Sequence, residues 1–177
     1  FSIVGQSMGG HNGMYLAATY PERIERLVIS DVEPLFDLQL MAFLREATEL
    51  PTFSSVEEAA EGARARSTRA SIETLRERSS QALKPTANGR LTMKYDLWAP
   101  KRWEPLDLWP LLGQITCPVL LLRGSDSPVL RQDMAEAMVQ QIPNAELRVV
   151  PDAGHGIGMD NPAVFESTIR EFLLAEG

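Results

Sequence analysis

One serine set among glycines, and only two histidines, limit where chemistry could reside in this chain of 177 residues. Gly5-Gln-Ser-Met-Gly9 follows a short apolar run over residues 1–4 and precedes a helix-forming stretch from about Gly10 to Tyr20. A strand, a sharp turn and a helix in that order lift a serine hydroxyl above the end of a sheet. The flanking glycines suit a strained turn with close backbone neighbours. The same turn can aim the Met8 N–H at an oxyanion developing on an attacked carbonyl. Ser7 is therefore the candidate nucleophile, Met8 the candidate oxyanion donor, and acyl transfer the candidate reaction.

A serine hydroxyl attacks poorly until a base takes its proton. His155, in Asp152-Ala-Gly-His-Gly156, lies on the loop after the last strand, where parallel sheets bind their ligands. His11 falls inside the helix following Ser7 and reads as a packing residue. The base needs a carboxylate to hold its tautomer and stabilise the imidazolium. Asp126, in Arg123-Gly-Ser-Asp-Ser127, follows the third strand and preserves the chain order nucleophile, acid, histidine. Asp31, at the end of the second strand in Ser30-Asp-Val-Glu-Pro34, preserves it too and stands as the alternative.

The elements that must position these residues alternate between strand and helix. Strands are predicted at 1–4, 26–30, 118–123 and 146–150, with helices at 134–141 and 161–175. The run Pro118-Val-Leu-Leu-Leu-Arg123 is apolar without alternation, as in a parallel strand covered on both faces. Pro162 suits the first turn of the closing helix, where its missing N–H costs nothing. Between the second and third strands the periodicity turns helical from Leu35 to about Leu83, with Ser-rich starts near Ser55 and Ser71 that can cap helices. Asn88-Gly89 marks a turn, and residues 94–109 form a connector holding Trp98, Trp103 and Trp109. This divides the chain into core (1–34), a helical cap (35–110) and core again (111–177). Trp98 and Trp103 of the cap, and Ile157 just after His155, are expected to bind substrate.

Composition excludes other classes. A net charge of −7 opposes a nucleic-acid surface. Arg64, Arg66, Arg69, Arg76 and Arg78 are interleaved with Glu57, Glu58, Glu61, Glu73 and Glu77, the pattern of a solvated helix face. No apolar run is long enough to span a membrane, and Cys117 stands alone, so a reduced cytoplasmic setting is expected. Neither a clustered metal-ligand set nor a Walker-type phosphate loop is present, and no cofactor is called for.

Gly5-Gln-Ser-Met-Gly-Gly10 resembles the nucleophile elbow of α/β-hydrolases. Tyr20-Pro-Glu-Arg-Ile-Glu-Arg-Leu-Val28 resembles the passage after it, Cys117-Pro-Val-Leu-Leu-Leu-Arg-Gly124 the strand before the acid, and Pro151-Asp-Ala-Gly-His155 the histidine loop. The resemblance implies an α/β fold with a mostly parallel sheet and a helical cap, and a serine hydrolase acting on a small-molecule acyl substrate, an ester foremost. Many relatives carry the acid three residues after the glycine, where this chain has Ser127 and Asp126 comes one residue early. The resemblance also implies that roughly 80 to 100 residues of the fold precede Phe1, supplying the first strands and the second oxyanion donor, within the same chain or as a separate one.

Overall fold

The computed structural model describes residues 1–36, 42–64, 69–102, 104 and 106–175. The chain divides into two compact units, one formed by Phe1–Phe36 with Pro105–Gly177 and the other by Asp37–Glu104. The expected cap limits of 35 and 110 therefore differ from these divisions by a few residues at each end.

In the first unit, strands β1 (Ile3–Gln6), β2 (Leu27–Ser30), β6 (Val119–Gly124) and β7 (Ala145–Val150) form one parallel sheet in the order β1-β2-β6-β7. The register pairs Gln6 with Ser30 and Ser30 with Leu122, so these strands end nearly level at one rim. Their period of two splits the apolar side chains between two faces. Leu27, Ile29, Val119 and Leu121 meet Met14 and Ala17 of helix α1 (Met8–Thr19) and Ala135 and Met138 of α6 (Gln132–Gln141). Val28, Leu120 and Leu122 face α7 (Ile157–Asp160) and α8 (Pro162–Leu174), meeting Ile157 and Phe172. Burial on both faces is why β2 and β6 read as unbroken apolar runs. Asn161 caps α8 through the Val164 N–H, with Pro162 in the first turn as expected.

The approach of α1 to the sheet depends on glycine. A Cβ on Gly5 would lie 2.4 Å from the backbone of Gly9, and one on Gly10 would lie 2.9 Å from Gly5 O and from Val32. Gly9 itself faces nothing within 4 Å among the described residues. The crowding that the motif suggests for both its glycines thus falls on Gly5 and on Gly10, one residue beyond it.

The second unit contains α2 (Ala42–Glu46), β3 (Thr52–Phe53), α3 (Val56–Arg64), α4 (Ile72–Ala82), β4 (Leu83–Pro85), β5 (Leu91–Met93) and α5 (Trp98–Arg102). The Glu58 N–H bonds Ser55 Oγ and the Thr74 N–H bonds Ser71 Oγ, so both predicted serine starts act as caps. The insertion is not wholly helical: β3, β5 and β4 form a small antiparallel sheet that the reading of 35–110 as a helical cap misses. Its β4–β5 hairpin turns at Gly89, whose φ of 77° suits glycine, at the predicted turn. The arginine and glutamate interleaving yields exposed pairs, Arg64–Glu61 at 3.7 Å and Arg76–Glu73 at 3.8 Å. Such pairs contribute little stability. Arg66 lies outside the described residues.

Candidate active site

Three strand ends each finish in a non-glycine residue with positive φ. Ser7 follows β1 with φ 52° and ψ −122°, Asp31 follows β2 with φ 55°, and Asp152 follows β7 with φ 53°. Such backbone costs on the order of 1–3 kcal/mol for each residue and persists where surrounding contacts impose it. At Ser7 those contacts are backbone ones: its N–H donates to Ser30 O at 2.9 Å, and its carbonyl accepts the first helical bond of α1 from the His11 N–H at 3.0 Å. Met8 opens α1, and its N–H is one of the donors a helix start leaves without an intrahelical partner. Ser7 and the Met8 N–H therefore lie side by side in sequence at the sheet rim, where β1 ends and α1 begins.

The carboxylate beside the histidine is Asp31. His155 Nδ1 lies 2.9 Å from Asp31 Oδ2, and the Asp31 side chain is fully buried. Asp31 Oδ1 accepts the Gly124 N–H at 3.0 Å, and Oδ2 also accepts the Ser127 hydroxyl at 2.5 Å. The carboxylate expected beside His155, Asp126, is thus not the one there: Asp31, the alternative, is. The reason lies in the turn after β6: the Ser127 N–H closes onto Gly124 O at 3.1 Å, which directs Ser127 inward while Asp126 is exposed. Asp126 instead joins the histidine loop through its backbone, its N–H donating to Ala153 O at 2.9 Å.

The histidine loop is gripped from two sides. Gln6 Nε2 donates to the His155 carbonyl at 2.9 Å, and Asp160 Oδ2 accepts the Gly154 N–H at 2.9 Å. Gly124 leaves room for this loop, since a Cβ there would lie 2.2 Å from Gly154 O. Nδ1 of His155 is turned to Asp31. Among the described residues no hydrogen bond joins that ring to Ser7 Oγ. Bonds of this type are often long without substrate and tighten in the reacting complex.

The remaining site expectations divide. Ile157 is a core residue, not a cleft residue: it is fully buried with Val28, Leu120, Leu122 and Phe172, because the first turn of α7 points it back at the sheet. Trp98 is exposed in the second unit, with Lys101 Nζ 5.2 Å and the Arg102 guanidinium 5.6 Å from its ring centre. Trp103 lies outside the described residues. His11 is 4% exposed, its Nε2 3.0 Å from Leu106 O and its ring edge-on to Phe36. Burial pushes its pKa below the ordinary value, opposed in part by the carbonyls of Leu106 and Pro34. Sequence reasoning missed Ser127 and Gln6 as partners of Asp31 and His155; the one signal available is that Ser127 stands three residues after Gly124, where many relatives carry the acid.

No group of three or more metal-ligating side chains occurs among the described residues, and no helix there is long and apolar enough to cross a membrane.

Residues 1–162 match the family model of the alpha/beta hydrolase fold. The chain is 27% identical over 194 residues to a Bacillus subtilis protein named "Putative 2-succinyl-6-hydroxy-2,4-cyclohexadiene-1-carboxylate synthase", covering 98% of this chain and 65% of that one. It is 25% identical over 178 residues to the 2-hydroxy-6-oxononadienedioate/2-hydroxy-6-oxononatrienedioate hydrolase of Burkholderia vietnamiensis, covering 97% of this chain and 61% of that one. Other matched relatives carry hydrolase and lipase names. The crystal structure of E-2-(acetamidomethylene)succinate hydrolase superposes with a TM-score of 0.86 at 24% identity, over 98% of this chain and 66% of that one, a likeness of fold. The chain thus spans less than two thirds of the length of these curated relatives, and it belongs to the alpha/beta hydrolase fold family.

Proposed function

We propose that this chain carries the catalytic residues of a serine hydrolase acting on an ester or related acyl bond of a small molecule, with Ser7 as nucleophile, His155 as base and Asp31 as acid. The observation that carries this reading is the buried Asp31 carboxylate 2.9 Å from His155 Nδ1, at the same sheet rim as the strained Ser7. In the proposed reaction Ser7 Oγ attacks the acyl carbon while its proton passes to His155 Nε2. Asp31 stabilises the imidazolium through the Nδ1–H, and the Met8 N–H donates to the oxyanion. His155 then returns the proton to the departing alcohol, leaving an acyl group on Ser7. Water, deprotonated by His155, attacks that acyl group; a carboxylic acid leaves and Ser7 regains its proton. Preorganised donors of this kind supply the largest share of catalysis in such sites.

Further chain of the same protein, or a second chain derived from it, is proposed to pair along β1 and supply a second oxyanion donor. Two observations support this: β1 is an edge strand with Val4 48% exposed, and the chain spans only part of its relatives' length. A second reading, hydrolysis of a carbon–carbon bond next to a carbonyl by the same residues, is supported by the relationship to the Burkholderia vietnamiensis hydrolase.

The test is a fluorophosphonate probe on the intact protein. Labelling mapped to Ser7 and abolished in Ser7→Ala is expected, and its absence would leave a non-catalytic binding protein on a hydrolase scaffold. Parallel assays with p-nitrophenyl esters and a vinylogous diketone separate ester from carbon–carbon hydrolysis.

A further inference from the structure

Ser127 makes more bonds than a turn residue needs. It is buried, and its Oγ accepts the N–H groups of Val129 at 3.1 Å and Leu130 at 3.2 Å. A serine hydroxyl has two acceptor positions and one proton. With both acceptor positions occupied, the O–H has one remaining direction, and Asp31 Oδ2 lies along it at 2.5 Å. Three residues earlier in the same turn, the Gly124 N–H holds Asp31 Oδ1 at 3.0 Å. One turn therefore grips both oxygens of the carboxylate. The terminal torsion of an aspartate is otherwise soft, and this double grip fixes it with Oδ2 facing His155 Nδ1 at 2.9 Å.

We infer that Ser127 is a positioning residue for the catalytic relay: its backbone-locked hydroxyl sets the orientation of Asp31 and through it that of the His155 ring. The inference rests on the hydrolase reading for its kinetic consequence but not for its geometry. A purely structural Ser127 would serve only the turn over residues 127–130. That role requires Oγ as an acceptor and is indifferent to where the proton points.

The experiment compares Ser127→Ala, Ser127→Thr and Ser127→Cys in the intact protein by ester turnover, thermal melting and the NMR resonance of the His155 Nδ1 proton. Ser127→Ala is expected to lower kcat by about 10- to 100-fold, in line with loss of a hydrogen bond to a charged group, with little change in KM. Its Nδ1 proton signal should move upfield or broaden. Ser127→Thr, which keeps the hydroxyl, should restore both turnover and resonance. Wild-type kcat and an unshifted resonance in Ser127→Ala would overturn the inference, as would Ser127→Thr being as impaired as Ser127→Ala. Should Ser127→Ala not fold, Ser127→Cys, a weaker donor of similar shape, decides through the same resonance: a shift supports the inference, and no shift overturns it. Absence of probe labelling on wild-type Ser7 would defeat the hydrolase reading alone. The resonance comparison needs no turnover and would still judge Ser127.

Discussion

Gln6 Nε2 donates to the backbone carbonyl of His155 over 2.9 Å, joining residues 149 apart in sequence. The last residue of the strand that leads into Ser7 thus holds the loop that carries His155, so the spacing between these two residues is set partly by this bond. Gln6→Ala should lower kcat/KM by about fivefold, the worth of one ordinary hydrogen bond. Steady-state kinetics beside a melting curve check this, and the melting temperature should move little because Gln6 is exposed.

Asp31 and Asp126 give opposite expectations for the same substitution. On the proposed mechanism Asp31→Asn removes the charge that faces the imidazolium and can reverse the tautomer, so kcat should fall by about 10⁴-fold, as for the matching change in a serine protease triad. Asp126→Asn leaves the Asp31–His155 pair in place and should lower kcat far less than Asp31→Asn does. Equal losses in the two variants, measured by ester turnover, would contradict the assignment of the acid.

The motif's two glycines should respond differently to an added methyl group. Gly5→Ala would drive a Cβ into the Gly9 backbone and should destabilise by about 2 kcal/mol or more. Gly9→Ala meets open space within a helix and should be neutral or stabilising by up to about 1 kcal/mol. Urea unfolding of the two variants decides between these outcomes.

His11 should make stability depend on pH. Burial lowers its folded-state pKa from the ordinary 6.5. Below 6.5 the unfolded chain takes up a proton that the folded chain binds only at lower pH, so the unfolded state gains and stability falls as pH drops through that window. Above 6.5 both states are neutral and His11 contributes no slope. His11→Gln should flatten the dependence on the acid side of 6.5. With only two histidines in the chain, repeating the measurement in a His155→Asn background isolates the effect.

The sheet was legible in the sequence because two-sided burial writes unbroken apolar runs, as in Leu120, Leu121 and Leu122, and because Ser7 and His155 each lie just beyond a predicted strand. The acid was not. Chain order admits both Asp31 and Asp126, and the deciding fact is which way consecutive side chains point from the turn after β6, a matter of backbone geometry that residue types do not encode. Asp31 does carry one physical mark, a left-handed backbone at a strand end, which aspartate tolerates better than most residues. The small antiparallel sheet of the second unit escaped for another reason. Strands of two and three residues, such as Thr52–Phe53 and Leu91–Met93, are too short to display a period.

The Leu108 N–H bonds the Pro34 carbonyl at 3.1 Å, while the His11 ring bonds the Leu106 carbonyl nearby. The chain therefore leaves the sheet and returns to it at adjacent points, stitched together by groups belonging to the sheet's own unit. An excursion with so narrow a doorway behaves as a cassette. A foreign segment grafted between these stitches should therefore leave the alignment of the strands unchanged.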